Sequence, residues 1–362
     1  MRNIGPKREK RKGKREKEDK KTDSLASPAS RVPRPALRVS RFPLSVSPAP
    51  RLEVAVGILR DENRRVLIGQ RAQRDRYFGQ WEFPGGKIEP GESAVDALRR
   101  ELHEELEVQL QTARPLISIT HDYPDRRVRL HVYEAGWGGR PQPHVHRELR
   151  YAAPEELARF DMLEGNRPIA TALRLPDYYL ITDPRFDPDR ILAGVEAWCA
   201  KQRIFVQVRQ KGMPDSEIVA LARAISERVH PAGGKVLLNA RADLVEAAGA
   251  DGVHLNASQL RALSARPLSK QSWVGASCHD EEEIALARSL GADFVVLSPV
   301  QATTSHPRAE PLGWNSFSAL CATANLPVYA LGGVSAADRD RVRSLGGRGV
   351  AMVSAAWDQP PP

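Results

Sequence analysis

Hydrophobic and polar positions along the chain follow one rhythm up to about residue 175 and a different one from Tyr178 onward. In the first stretch, "RLEVAVGILR" and "RRVLIGQR" alternate or run apolar over strand lengths, joined by the turn residues Asp61, Glu62 and Asn63. "WEFPGGKIEPGE" reads as a loop. "SAVDALRRELHEEL" sets Val95, Leu98, Leu102 and Leu106 at helical spacing, which predicts an amphipathic helix. "RVRLHVYEAGW" alternates as a half-buried strand, and "APEELARF" reads as a short helix begun by a proline. Residues 51–175 therefore predict an α+β unit of mixed sheet and flanking helices.

From Tyr178 the apolar runs are short and evenly spaced: "YYLIT", "IFVQVR", "KVLLN", "GVHL", "WVGAS", "FVVLSPV", "PVYALGG" and "GVAMVS", with helical patterns between them. Eight such units over residues 178–358 predict a closed (β/α)8 barrel, whose chemistry belongs at the C-terminal ends of the strands. Gln207, Arg209, Asn239, Ser277 and Ser354 fall at or just beyond those ends. A doubly wound open sheet is the competing architecture, but no Gly-x-Gly-x-x-Gly follows a first strand.

Charge changes the picture at one end only. The chain of 362 residues carries a formal +9, yet residues 1–50 hold fifteen Lys/Arg against five Asp/Glu, so the body is close to neutral. "PKREKRKGKREKEDKK" and the Ser-, Pro- and Arg-rich stretch after it offer little to bury, so residues 1–50 are expected to be a disordered tail. An arm for nucleic acid or an anionic surface, a solvated tail, and an over-extended start of translation remain alternatives for it. The tail lacks the apolar core of a secretory signal and no later run is long enough to span a bilayer, so no membrane partner is expected. Cys199, Cys278 and Cys321 lie far apart without pairing or metal spacing, which suits a cytoplasmic setting. Nothing in the pattern specifies an oligomeric state.

Gly85 to Val108 packs seven acidic residues into twenty-four positions, with Glu101, Glu104, Glu105 and Glu107 in the last eight. Glu101, Glu104 and Glu105 share one face of the predicted helix, an unfavourable crowding unless something positive sits among them. Hard carboxylate oxygens on one face suit Mg²⁺ or Mn²⁺ bridging to substrate phosphates, with Arg100 orienting its neighbours and Gly85 and Gly86 allowing close backbone approach. A solvated acidic helix face is the alternative for the three glutamates alone. Glu107 stands where the helix should end: either it takes the left-handed C′ position, or the helix runs one residue longer.

This segment resembles the Nudix hydrolase signature through Gly86, Glu92, Arg100, Glu101, Leu102, Glu104, Glu105 and Val108; the late glycine of that signature is Glu107 here. With "VAVGILRDENRRVLIGQR", "YPDRRVRL" and "GNRPI", the resemblance extends to the MutT-type branch, which hydrolyses 8-oxo-dGTP to the monophosphate and pyrophosphate. It implies that Glu101, Glu104, Glu105 and the Gly85 carbonyl hold metal, that Arg71 and Arg126 contact the nucleotide, that Phe83 lines the base pocket, and that Asn166 reads the oxidised purine edge. Asn166 could instead be the N-cap of "RPIATAL". The family's further glutamate, before a strand beginning near Arg150, aligns with Val145; Glu148, His144 and His146 are the nearby alternatives.

"VQVRQK", "LLNARADLVEAAGADGVHLNASQL", "GASCH", "LSPVQATTSHP", "ALGGV" and "GVAMVS" resemble the thiamine phosphate synthase family and its thiazole tautomerase relatives. The resemblance implies a ligand and phosphate site of Gln207, Arg209, Lys211, Asn239, Ser277, Thr303, Ser305, Gly332, Gly333, Val353 and Ser354; the glycine pair could also be a plain tight turn. Where the synthase places metal-holding aspartates, this chain has Ala240 and Gln259, and the expected Thr-x-Thr-Lys reads Thr303, Thr304, Ser305, His306. Loss of two carboxylates argues against synthase turnover. A tautomerase-like reaction needs only a base and a phosphate anchor; His279 is the candidate base, or else a loop histidine.

These readings converge on a two-domain Mg²⁺- or Mn²⁺-dependent enzyme acting on a small-molecule nucleotide, with 8-oxo-dGTP the expected substrate in nucleotide-pool sanitation. The barrel is expected to take a thiazole phosphate or thiamine-related ligand. The rivals are a thiamine-pathway enzyme whose first domain acts on thiamine-like diphosphates, and a barrel that serves as a phosphate-ligand sensor or scaffold.

Overall fold

The computed structural model describes residues 51–303, 309–358 and 361–362. The tail and Thr304, Ser305 and His306 lie outside the described residues.

The first domain is built on two sheets. β1 (Arg51–Leu59), β2 (Val66–Arg71), β3 (Trp81–Glu82) and β4 (Gly85–Lys87) precede helix α1 (Ala94–Leu106); β5 (Gln109–Asp122), β6 (Arg127–Gly138), β7 (His146–Ala152) and helix α2 (Arg167–Arg174) follow. One sheet has the order β4-β1-β6-β5, with β1 and β6 parallel, and the other is the antiparallel β3-β2-β7. Alternation along β1 divides its side chains between two cores. Ala55 and Leu59 pack with Ala97, Leu98, Leu102 and Leu106 of α1, while Val56 and Ile58 join Ile169 and Leu173 of α2. The three leucines of α1 are fully buried, each worth roughly 1.5–3 kcal/mol, so α1 is held by packing rather than by its crowded charges. Ser93 caps it by accepting from the Asp96 N–H.

The helix ends at Leu106. Glu107 takes the left-handed C-cap (φ 60°, ψ 28°), its N–H donating to the His103 and Leu102 carbonyls, so the reading in which α1 runs one residue longer is corrected. Three further expectations are corrected. The stretch read as a loop contains β3 and β4, strands of two and three residues that only pairing with β2 and β1 creates. "APEELARF" forms a 3₁₀ turn, Leu157–Arg159, because the Glu156 carboxylate accepts from the Ala153 N–H and the following bonds span three residues. The last strand begins at His146, not near Arg150.

The second domain is a closed parallel barrel of β8 (Tyr178–Ile181), β9 (Phe205–Val208), β10 (Lys235–Asn239), β11 (Gly252–Leu255), β12 (Trp273–Cys278), β13 (Phe294–Leu297), β14 (Val328–Ala330) and β15 (Gly349–Met352). The competing open sheet is thereby excluded. Around it lie α3 (Pro188–Cys199), α4 (Asp215–Val229), α5 (Val245–Ala248), α6 (Ala257–Ala262), α7 (Glu281–Leu290), α8 (Gly313–Ala324), α9 (Arg339–Ser344) and α10 (Ser354–Asp358). Tyr179, Phe205, Trp273, Phe294 and Tyr329 fill the barrel interior, and the outward strand residues pack on the helices.

The first domain abuts the barrel at the N-terminal ends of its strands. The Gly346 carbonyl accepts from Ser118 N–H of β5, Tyr329 Oη donates to the Pro176 carbonyl, and the buried Arg348 reaches the Ala172 and Leu175 carbonyls of α2 and its exit. The barrel mouth therefore opens away from the first domain.

Candidate active sites

In the first domain the Gly85–Gly86 strand runs beneath the acidic face of α1. Gly85 sits at φ 138°, and a Cβ there would come within 2.1 Å of the Ala55 carbonyl oxygen. A Cβ on Gly86 would lie 2.1 Å from the Glu101 carboxyl carbon, so the glycine is what lets that carboxylate rest against the backbone. Glu105 Oε2 accepts from the Gly85 N–H at 3.0 Å. Burial pushes the Glu105 carboxyl up to about 7, against the opposing pull of His146 and the Gly85 N–H, with the Glu82 and Glu101 charges adding to the rise. Arg100 is the hub of the outer ring. It grips Glu92 through Nε at 3.1 Å and Nη2 at 3.0 Å, and its Nη1 donates to Glu101 at 2.8 Å and Glu104 at 3.4 Å.

The expected nucleotide residues are placed around this cluster with different degrees of freedom. Arg71 is held between Glu82 (2.8 Å) and Asp75 (3.0 Å). Arg126 lies over the Tyr77 and Tyr123 rings, 6.0 and 5.8 Å from their centroids. Phe83 is buried in the core shared with α2. Asn166 stands at the N-cap position of α2 but makes no side-chain cap bond; its Oδ1 instead accepts from the Phe83 N–H at 3.0 Å. Tyr77 and Tyr123, which meet edge-to-face at 5.5 Å, were not singled out from the sequence, though the "YPD" turn and "RDRY" carry them.

The structure brings His146, not Glu148, to the carboxylates. A register shift between Gln70 and Arg71 pairs Arg71 with His146 and Gln70 with Glu148. His146 is buried 3.7 Å from Glu82 Oε1, lying over Gly69, where a Cβ would strike its ring. Glu148 pairs with Arg150 at 2.5 Å and lines a separate pocket with Gln70, Trp81 and Asp161. Of the three nearby alternatives, Glu148 thus stands apart from the carboxylates and His146 lies beside them. Val145 is exposed, and His144 pairs with Glu107 at 3.3 Å, outside the cluster.

The barrel mouth is a cavity of about 910 Å³ that gathers Gln207, Arg209, Lys211, Asn239, Ser277, Thr303, Gly332, Gly333, Val353 and Ser354, with His279 at its wall. Gly332 and Gly333 both have positive φ, and a Cβ on Gly333 would lie 2.4 Å from the Ala302 carbonyl oxygen. Below the mouth runs a buried relay. Gln207 Nε2 donates to Tyr179 Oη (3.1 Å), Tyr179 Oη meets His254 Nδ1 (3.2 Å), and His254 Nε2 meets Ser277 Oγ (2.9 Å). Burial, with Arg209 adding, pushes His254 down to about 3, so the ring is neutral. Since the tyrosine hydroxyl accepts from Gln207, its own proton goes to Nδ1. Nε2–H then donates to Ser277, whose hydroxyl proton is left for a ligand. The sequence gives no sign of His254, because "GVHL" reads as an apolar strand; its inward position follows only from closure of the barrel.

Just past the end of β10, Ala240 adopts φ 60° and its carbonyl accepts from Gln259 Nε2 at 2.9 Å. The two positions where synthase carboxylates are expected thus bond to each other. His279 Nδ1 sits 2.8 Å from the buried Glu283, which also pairs with Arg261, so the ring is oriented with Nε2 unencumbered by that contact.

Residues 50–173 match the family described as NUDIX domain, and residues 178–356 match the family described as thiamine monophosphate synthase. A Geobacter sulfurreducens protein, named provisionally as a thiamine-phosphate synthase, is 38% identical over 187 residues, 51% of this chain and 88% of its own length. The chain is a Nudix domain joined to a member of the thiamine-phosphate synthase family. The thiamine-phosphate synthase of Methanoculleus marisnigri is 35% identical over 182 residues, 49% of this chain and 86% of its own. Among solved structures, the E. coli ORF135 protein is 31% identical, covering 33% of this chain and 86% of its own, with a TM-score of 0.31.

The Nudix domain makes this a hydrolase acting on phosphorus anhydrides, and its family uses divalent metal ions. The carboxylates around α1 fit such an ion in kind: Glu105 is raised by burial and by neighbouring negative charge, a state that a cation relieves. Glu101 and Glu104 are turned onto Arg100, and among the described residues no three potential ligands converge on one point. The Glu104 side chain is 57% exposed. The synthase-family domain has a mouth of about 910 Å³ with Gln207, Arg209, Asn239 and Ser277 among its lining, and among the described residues no helix is long and apolar enough to cross a membrane.

Proposed function

We propose that the Nudix domain hydrolyses 8-oxo-dGTP to 8-oxo-dGMP and pyrophosphate, removing an oxidised nucleotide before it enters DNA. The observation that carries this reading is Asn166. It is buried, its Oδ1 is fixed by the Phe83 N–H, and its Nδ2 and the second Oδ1 lone pair are left to read a purine edge. Oxidised guanine carries an N7–H donor where guanine has an acceptor, so such an amide distinguishes the two. Tyr77 and Tyr123 offer aromatic faces for the base, and Arg126 beside them offers charge to the phosphates.

Glu101, Glu104, Glu105 and the Gly85 carbonyl would hold Mg²⁺ or Mn²⁺, which when bound activates water and neutralises charge developing at phosphorus. Arg100 bonds both Glu101 and Glu104, and Glu101 rests against Gly86. Glu82, anchored by Arg71, carries its charge toward His146 and Glu105. The test is a panel of 8-oxo-dGTP, ordinary dNTPs and thiamine diphosphate with purified protein and Mg²⁺. Asn166→Ala should cut the kcat/KM preference for 8-oxo-dGTP over dGTP by about tenfold or more, the worth of about 1–3 kcal/mol of edge readout. This ratio does not depend on the fraction of protein folded. An unchanged ratio removes Asn166 from base recognition.

The barrel is read as binding a thiazole phosphate or related thiamine-pathway ligand without synthase turnover. The Ala240–Gln259 bond supports this, since a backbone carbonyl and an amide stand where the synthase family is expected to have carboxylates. Calorimetry with thiazole phosphate should show binding that Gly333→Val abolishes, and synthase turnover by the intact chain would overturn the reading.

A further inference from the structure

Where the Nudix domain meets the barrel, a cavity of about 760 Å³ is lined by seven arginines and three carboxylates. The carboxylates are already spent. Asp177 holds Arg343 and Arg348, each at 2.6 Å, Glu134 reaches Arg343 at 3.3 Å, and Asp340 pairs with Arg339 at 2.9 Å. Arg60 and Arg203 donate only to the Arg64 and Leu175 carbonyls, and among the described residues neither they nor Arg64 and Arg114 form an ion pair at contact distance. Burial first, then the charges of Arg64, Arg203 and Arg348, hold the Arg60 guanidinium below its ordinary value despite Glu134. Burial and Arg348 lower Arg203 likewise, against the opposing pull of Tyr329 and Glu155. Packing unpaired cations into a shared cleft is unfavourable unless an anion joins them.

We propose that this interdomain cleft binds a small oligophosphate, either free pyrophosphate or the phosphate chain of a nucleotide. Guanidinium forks match phosphate oxygens bidentately, and four unpaired cations call for more than one negative charge. The volume is that of a small-ligand site. Arg64 and Arg114 are exposed at the rim, Arg60 and Arg203 are half-buried, and Arg348 is buried, so an anion can enter from solvent. The site draws on both domains and is remote from the barrel mouth, which lies at the other end of the strands.

Calorimetry on the full chain in EDTA, which silences metal-dependent binding, would use pyrophosphate and a non-hydrolysable nucleoside triphosphate as separate titrants. Binding is expected for at least one, and the tighter titrant identifies the source. The rim variant Arg64→Gln/Arg114→Gln should weaken it about tenfold or more, with Arg60→Gln/Arg203→Gln at least as damaging. Gly333→Val and Glu104→Gln should leave it unchanged. The rim pair is exposed, so its loss does not threaten folding. Absence of binding by the intact chain, unchanged affinity in both arginine variants, or loss in Gly333→Val would overturn the proposal.

Discussion

At the scale of single residues, Glu107 shows how a position can be unfavourable locally and tolerated globally. Its left-handed backbone suits glycine, and its charge sits at the negative end of the α1 dipole. Glu107→Gly should therefore stabilise the protein by about 1 kcal/mol. A urea midpoint that rises without a change in slope would bear this out, whereas a lower midpoint would mean that the surface contact with His144 matters more than the backbone. Glu104 is the complementary case, exposed and unnecessary for folding. Glu104→Gln should leave the midpoint nearly unchanged while lowering Mg²⁺-dependent turnover about 10²-fold or more, roughly 3 kcal/mol of barrier. Near-normal turnover would remove this face of α1 from the chemistry. The sequence left Asn166 open between a cap and a base reader, because local pattern cannot show a partner eighty-three residues away.

At the scale of elements, legibility followed from how much each element depends on its own residues. The period of Val95, Leu98, Leu102 and Leu106 is enough to read α1, and eight evenly spaced apolar runs are enough to read the barrel. β5 has no legible period, because "QLQTARPLISITHD" mixes polar and apolar positions and bulges twice against β6. β3 and β4 have no pattern of their own, and β7 owes its start and its facing to the shift against β2. That shift decides which side chain joins the carboxylates. Glu148→Gln should leave turnover close to wild type, whereas His146→Ala should lower it, because it empties a buried position beside Glu82 and Glu105. Steady-state rates of the two variants at saturating Mg²⁺ decide the matter. A large loss in Glu148→Gln with little in His146→Ala would mean the strand shifts register when substrate binds.

At the scale of the whole molecule, the two domains share a charged anchor that the sequence gives no sign of, since its members lie far apart in the chain. Asp177, at the entry to β8, accepts from Arg343 of α9 and from Arg348 just before β15, while Arg348 also reaches back to Ala172 and Leu175. Burial opposes ionisation of Asp177, but the two guanidiniums prevail and hold its carboxyl below the ordinary value of 3.8. A carboxyl whose folded value is depressed adds stability above its unfolded value, and that stability is lost as pH falls through the lower folded value. Asp177→Asn leaves Arg348, only 4% exposed, without its countercharge, and should cost about 3–5 kcal/mol at neutral pH. In strong acid, wild-type Asp177 is itself protonated and the gap between the two proteins should close. Urea midpoints of both proteins across the acid range test this. A gap that persists undiminished into strong acid would show that the aspartate matters through its shape and hydrogen bonds, and that charge does not hold the domains together.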